Sequence, residues 1–371
     1  MTVPAARLAI LHTESSCGWG GQEIRILAEI EGMAARGHSL RLACPRDARI
    51  FEEARRRGIA VDALPIEKKR LPGAWAMRSW LSAHPADVIN THSSTDSWLA
   101  ALACATLKGA PALVRTRHIS AAVPKNAATR WLYQSATRTI VTTGNSLKEQ
   151  LVRDNGFDAA RIVSVPTGID LTRFVPAASV DARRALRERL GLPAAPLLIG
   201  IVATLRSWKG HRYLIDALAD LPEAHLVIVG DGPQRAALEE RAAAARLSGR
   251  VTFAGNQADV VPWLQCLDVF ALPSYANEGV PQAILQAGAC ALPMVTTDAG
   301  AIGEVARDGD TALIVAKEDA AALACAITRL TADATLARAI GERAAALVHA
   351  RHGSAAMVDA MEAVFMQAAG R

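Results

Sequence analysis

Leu197-Leu198-Ile199-Gly200-Ile201-Val202-Ala203-Thr204 opens the second half of a 371-residue chain, and it decides the fold because it restarts a pattern already completed upstream. A short unbroken apolar run closed by a turn signal reads as a strand buried on both faces, the kind found in parallel sheets. Comparable runs follow at 226–229, 251–254, 269–272, 294–297 and 312–315. Before it, strand patterns at 7–13, 38–44, 59–66, 87–92, 112–118, 139–143 and 161–166 alternate with helical stretches at 23–36, 50–57, 75–83, 98–107, 126–136 and 146–155. Strands alternating with helices predict doubly wound parallel sheets. Two are expected, facing each other across a cleft.

The stretch 167–196 contains Pro176, Pro193 and Pro196 around a short charged helix at 181–190, and it is read as the hinge. The expected division is 1–175, then 176–354, then a final helical segment, 355–371. A chain this long exceeds the size of one core, so two domains are the natural expectation.

Apolar residues make up 51% and aromatic residues only 4%, a composition of Ala- and Leu-rich helices and not of disorder. Six scattered cysteines (Cys17, Cys44, Cys104, Cys266, Cys290, Cys325) form no C-x-x-C pair, so neither a disulfide framework nor a zinc site is indicated. They fit a reducing cytoplasm. The chain passes from Met1 through Pro4 and Arg7 into a strand without the plan of a signal peptide, and it has no apolar window long enough to span a membrane. The expected location is cytoplasmic, with the inner face of the cytoplasmic membrane as an alternative. The net charge of +5 suits anionic substrates or an anionic membrane surface. No nucleic-acid motif is visible and stacking aromatics are sparse, so nucleic acid is not expected as a partner.

Glu278-Gly279-Val280-Pro281, followed one helix later by Gln286, places a carboxylate immediately before the amides that open a helix. Such amides attract phosphate, and a carboxylate beside them suits a cationic reacting centre. The plainer reading is that Glu278 caps its helix. Pro273-Ser274 ends the preceding strand and Gly230-Asp231-Gly232-Pro233 ends another; in open α/β sheets, ligands bind at these carboxyl ends. Arg206 and Lys209 flank Trp208 at a third strand end, where two cations could neutralise a leaving diphosphate or simply be solvated. Gly18-Trp19-Gly20-Gly21 follows the first strand and leaves amides bare for a diphosphate, or forms an ordinary tight turn. His118 and His92 each end a strand, where a histidine is either structural or catalytic. Asp308-Gly309-Asp310 spells a metal-binding D-x-D, but between a helix and a strand it reads as turn chemistry. Residues 64–80 combine Lys68, Lys69, Arg70 and Arg78 with Leu71, Trp75, Met77 and Trp80. Two readings stand: a patch resting peripherally on an anionic membrane, or a solvated loop plus a packed helix.

Taken in order, Gly20-Gly21 with Glu23, the strand ending in His118, Val165-Pro166-Thr167-Gly168-Ile169-Asp170, Lys209-Gly210, Gly230-Asp231-Gly232-Pro233 and Glu278-Gly279 resemble the family 4 (group 1) retaining glycosyltransferases across nearly the whole chain. The resemblance implies the GT-B fold, with 1–175 as a Rossmann-like acceptor domain, 176–354 as a Rossmann-like donor domain and the helix at 355–367 packing back on the first. It implies that Gly20 and Gly21 approach the donor diphosphate, that Lys209 binds its phosphates, and that Gly232, Gly279, Val280 and Pro281 line the donor. Glu278 matches the first acid of the family's E-x7-E motif, and His118 matches the histidine near the transferred sugar. The chain departs from the family at Gln286 in place of the second acid, at Thr204 in place of an arginine and at Thr167 in place of an asparagine. Gln286 can still bond a ribose hydroxyl, and Arg206, offset by two positions, is assigned to the phosphates.

The implied activity is metal-independent transfer, with retention, of a hexose from a nucleotide-diphosphate sugar, a UDP-sugar being the expected donor. The acceptor is expected to be a hydroxyl of an envelope glycan or glycolipid, such as lipopolysaccharide core. No cofactor or metal is expected. The alternatives are a sugar-nucleotide 2-epimerase of the same fold and a degenerate subunit that only binds a partner.

Overall fold

A computed structural model describes residues 7–193 and 197–371; Met1, Pro4 and Pro196 lie outside the described residues. The described residues form two compact units, one of 7–168 with 354–371 and one of 169–193 with 197–353.

The first unit is built on a seven-stranded sheet of β1 (Ala9–Thr13), β2 (Ser39–Cys44), β3 (Val61–Ala63), β4 (Val88–Thr91), β5 (Ala112–Arg117), β6 (Thr139–Thr142) and β7 (Ile162–Ser164), in the order β3-β2-β1-β4-β5-β6-β7. Every pairing is parallel. Successive strand residues point to opposite faces, and the core divides accordingly. Leu11, Ile89, Leu113 and Ile140 pack on one face with Leu99, Trp80 and Tyr133. Ile10, Val88, Val114 and Val141 pack on the other, and that face is covered by Met357, Met361, Val364 and Phe365 of the C-terminal helix Ser354–Ala369. This helix crosses Gly21–Ala35 so closely that a Cβ on Gly32 would lie 2.4 Å from Val358 Cγ2. It is pinned at its rim by His38 to Glu362 at 2.8 Å and by Arg371 to Asp87 at 2.8 Å.

The second unit carries a six-stranded sheet of β8 (Leu197–Val202), β9 (Ala224–Val229), β10 (Val251–Gly255), β11 (Val269–Leu272), β12 (Met294–Thr296) and β13 (Leu313–Ile314), ordered β10-β9-β8-β11-β12-β13. Its pairings are also parallel. The proline-rich stretch contributes the helix Val180–Arg189, whose Arg187 is buried and bonds Asp268 at 2.9 Å and the Cys266 carbonyl at 2.9 Å.

Two local readings change. The helix expected at 126–136 is α-helical only over Ala127–Trp131 and continues as a π-turn over Leu132–Ala136. The helix expected from 75 begins at Leu71, because Pro72 supplies a pre-set φ in the first turn. This splits the residues grouped as one patch. Leu71 and Trp75 are 82% and 71% exposed, whereas Met77 and Trp80 are buried in the core and cannot belong to a surface. No single helix among the described residues is long and apolar enough to cross a membrane.

Candidate active site

Strand order locates the places where ligands can bind. β1 lies between β2 and β4, and β8 lies between β9 and β11. At such points the connections leave in opposite directions and open a crevice at the carboxyl ends of the strands. Gly20 and Gly21 follow β1 at the first of these points, and Lys209 and Glu278 follow β8 and β11 at the second.

In the second unit, the loop after β8 carries Arg206 to Gly210 and the loop after β11 carries Pro273 to Pro281. Backbone contacts lock the two loops together. Tyr275 N–H donates to the Trp208 carbonyl at 2.9 Å. Gly210, at φ +75°, passes so close to Pro273 that a Cβ would lie 2.1 Å from its carbonyl oxygen. The result joins residues far apart in sequence: Lys209 Nζ donates to both oxygens of Glu278, at 2.7 and 3.0 Å. The Glu278 side chain is 5% exposed and that of Lys209 is 19% exposed. A carboxylate so enclosed is retained as an anion only with a partner and hydrogen bonds, and Lys209 supplies both.

The capping reading of Glu278 is therefore incorrect. Pro281 occupies the N-cap of helix Gln282–Ala289, and the carboxylate turns to Lys209. The amides expected to be exposed are not: Gly279, Val280 and Pro281 are buried. Among the described residues, the N–H groups of Gly279 and Val280 donate to no protein acceptor. Gln286 sits on the same helix and is buried. Gly232 presses on the backbone of Leu205, which ties the loop after β9 to the loop after β8. Arg206 is not drawn to the Lys209–Glu278 pair; it is exposed and its guanidinium lies 5.8 Å from the centre of the Trp208 ring.

In the first unit, Gly20 is the extended N-cap of helix Gly21–Ala35, as the Gly-rich turn suggested. The larger finding lies beside it. His118, just beyond β5, is the outer member of a row of three histidines. Its Nε2 lies 3.0 Å from Nδ1 of His92, and Nε2 of His92 lies 3.0 Å from Nδ1 of His12. Burial holds all three imidazoles neutral, pushing His12 down to about 3 and His92 and His118 well below the ordinary value; Arg25 also opposes their charging at His92 and His118. Behind His12 stands Glu29, 3.9 Å from Nε2, which burial raises to about 7 against the opposing pull of Arg25. Arg25 in turn donates to the Val165 carbonyl at 3.0 Å and to Thr167 Oγ1 at 2.9 Å. Thr167, at the family's asparagine position, is thus a partner of a buried arginine.

Sequence reasoning passed over several of these groups. His12 sits inside a strand rather than at its end, so nothing marked it. Glu14, directly after β1, is fully buried and accepts from Ser16 N–H at 2.6 Å and from the Gln22 side chain, which moors the Gly-rich turn. Burial, with Asp96 and Glu23 nearby, raises its carboxyl well above the usual range. An acid between a strand end and a glycine turn was the available signal. His211, next to Gly210, is buried with neither ring nitrogen hydrogen-bonded, and Ser274 Oγ is likewise unpartnered. The Asp308-Gly309-Asp310 segment is a turn: Asp308 accepts from Ile314 N–H at 2.9 Å and Asp310 pairs with Arg343 at 2.8 Å.

Comparison with known proteins identifies the family. The family description "Glycosyl transferases group 1" matches residues 196–333 and "Glycosyltransferase Family 4" matches residues 19–173. The chain belongs to the family 4, group 1, glycosyltransferases. It is 34% identical over 273 residues to a D-inositol 3-phosphate glycosyltransferase of Xylanimonas cellulosilytica, covering 67% of this chain and 64% of that protein. It is 36% identical over 157 residues to the lipopolysaccharide core biosynthesis glycosyltransferase LpsE of Rhizobium meliloti, covering 42% of this chain and 46% of that one. The matches thus span about half to two thirds of these relatives. The structure of Anabaena Alr3699/HepE in complex with UDP-glucose superimposes with a TM-score of 0.86 at 21% identity, covering 97% of this chain and 100% of that one. That likeness shows the fold, which is GT-B.

Proposed function

We propose that the protein is a retaining, metal-independent hexosyltransferase that uses a nucleotide-diphosphate sugar, with a UDP-sugar as donor. The observation that carries this reading is the enclosed Lys209–Glu278 pair beside the unpaired N–H groups of Gly279 and Val280. Before the donor binds, the lysine is neutralised by the glutamate. An incoming diphosphate competes for Lys209 and for the free amides, which together form a preorganised anion site. Glu278, relieved of its partner, then faces positive charge developing on the sugar. The bond from the anomeric carbon to the diphosphate breaks as an acceptor oxygen bonds to that carbon on the same face. The acceptor proton passes to a phosphate oxygen, and the nucleoside diphosphate leaves. Arg206 adds charge at the phosphates, Gly20 and Gly21 approach them, Gly232 and Gln286 help shape the donor site, and His118 contacts the transferred sugar.

The acceptor in this reading is a hydroxyl of an envelope glycan or glycolipid. The name of the Rhizobium meliloti relative supports it. So does the surface formed by exposed Leu71 and Trp75 beside Lys68, Lys69, Arg70 and Arg78, which suits peripheral contact with an anionic membrane. The test is incubation with UDP-, GDP- and ADP-hexoses and lipid-linked glycan acceptors in EDTA, with the anomeric configuration of the product read by NMR. Transfer with retention is expected. Interconversion of the sugar nucleotide without acceptor would replace this reading with an epimerase.

A further inference from the structure

The row of histidines has a property that follows from counting protons. A neutral imidazole carries one N–H and one bare nitrogen. His92 is bonded through both of its nitrogens, to His12 and to His118, so it must donate through one and accept through the other. Both bonds therefore run in the same direction along the row. Only two arrangements exist, and they differ at every ring.

In one, His118 Nε2–H donates to His92 Nδ1, His92 Nε2–H donates to His12 Nδ1, and the N–H on His12 Nε2 points at Glu29. His118 then presents a bare Nδ1. In the other, every proton sits on Nδ1, His118 presents an N–H, and a lone pair on His12 Nε2 faces Glu29. Among the described residues, Nδ1 of His118 has no partner and Nε2 of His12 has none either, so both ends of the row are open to direction from outside.

Glu29 is the group placed to choose. Thr116 Oγ1 donates to Asn90 Oδ1 at 2.9 Å, which fixes the amide so that Asn90 Nδ2 donates to Glu29 Oε1 at 3.1 Å. That oxygen is the one 3.9 Å from His12 Nε2. At that distance it acts through its charge: as an anion it favours the N–H on His12 Nε2, and protonation removes that preference and lets the row reverse. We propose that Glu29, acting through His12 and His92, sets which nitrogen of His118 carries the proton, making all three positioning residues for the imidazole that meets the sugar. The proposal rests on the reading of His118 as a sugar contact only for its effect on transfer. With Glu29 ionised, His118 accepts a hydrogen bond from a substrate hydroxyl; with Glu29 protonated, it becomes free to donate one.

The charged groups facing the row are few. Arg25 and Glu29 come from helix Gly21–Ala35, and Asp96 of helix Ser94–Ala105 accepts the His92 backbone N–H at 2.9 Å. The C-terminal helix presents the uncharged edge of Phe365, 6.0 Å from His12. The ionisation of Glu29 near neutrality, at about 7, puts the change of arrangement within reach of experiment.

The test is long-range proton–nitrogen NMR of the full chain labelled with nitrogen-15 in its histidines, with the His118 signals identified by their loss in His118→Asn. At pH 8.5 His118 is expected as the Nε2–H tautomer, shifting toward Nδ1–H as the pH falls through 7. In Glu29→Gln this pH response should vanish. An Nδ1–H tautomer at pH 8.5, or a response that survives Glu29→Gln, overturns the proposal. If Glu29→Gln fails to fold, the wild-type series decides the tautomer and His12→Phe, which cuts the row, must abolish its pH dependence; persistence overturns it equally. In transfer assays, His12→Phe is expected to lower kcat at least about tenfold with donor KM nearly unchanged. Tautomers that follow Glu29 while transfer ignores both substitutions would sustain the relay and remove His118 from the sugar.

Discussion

Gly300→Ala changes a residue that has no side chain of its own, yet it should cripple the site. Gly300 lies at φ +58°, and an added Cβ would fall 2.1 Å from the Glu278 carbonyl oxygen, 2.8 Å from its carbon and 3.1 Å from its Cα. Cβ atoms do not approach other atoms closer than 3.0 Å, so the Glu278 backbone must retreat by about 1 Å in a close-packed interior. The left-handed backbone costs alanine about 1 kcal/mol, and the overpacking adds about 1–3 kcal/mol. A misplacement of about 1 Å at a catalytic group can lower turnover on the order of 100-fold. Urea unfolding and initial-rate transfer assays measure the two effects. Gly303→Ala is the control: nothing lies within 4 Å of its added Cβ, and its stability should change by no more than about 0.5 kcal/mol. A folded Gly300→Ala enzyme with kcat within about threefold of the wild type would refute the claim that the Glu278 backbone position governs the chemistry.

His211 is buried without a hydrogen bond at either ring nitrogen, and its pKa is lowered to about 3, chiefly by burial and also by Lys209. Between that value and the unfolded value near 6.5, the unfolded chain binds a proton that the native chain does not, so the residue costs stability as pH falls. His211→Leu should stabilise the protein, and its gain should be about 2 kcal/mol larger at pH 5 than at pH 8; urea titrations showing a smaller gain at pH 5 would contradict this. Arg206→Ala should raise the donor KM with kcat changed less than about threefold, since its exposed guanidinium binds ground and transition states alike; unchanged KM would remove it from the phosphate site. Leu71→Ser with Trp75→Ser should lower sedimentation with phosphatidylglycerol vesicles at least about tenfold, and equal sedimentation would show that this surface does not meet the bilayer.

What the sequence made legible follows from what each signal depends on. Strand positions were readable because burial on both faces leaves unbroken apolar runs, as at Val269–Leu272 and Leu197–Val202. The close backbone approaches of Gly210 and Gly300 could not be read in the same way, because they depend on which loops the sheet brings together. The sequence singled out Lys209, Glu278 and His118 one by one, but not which of them lie together. Lys209 and Glu278 are 69 positions apart, and only the adjacency of β8 and β11 joins them. The row from His12 to His118 depends in the same way on β1, β4 and β5 lying side by side. His12 itself looked like one more strand residue. Of the two readings of 64–80, grouping Trp80 and Met77 with the surface residues fails because the helix phase turns Trp75 to solvent and Met77 and Trp80 to the core.

The central claim is that Lys209 and Glu278 form the anchor for a nucleotide-diphosphate sugar. Its most direct test is a thermal-shift series of wild type and Lys209→Met against UDP-, GDP- and ADP-sugars, with and without EDTA. Donor at a hundred times its Kd adds about 2.7 kcal/mol to the native state. The account predicts a clear rise in Tm for the wild type with UDP-sugars, unchanged by EDTA and absent in a folded Lys209→Met protein. No rise with any donor, or an equal rise in Lys209→Met, would contradict it.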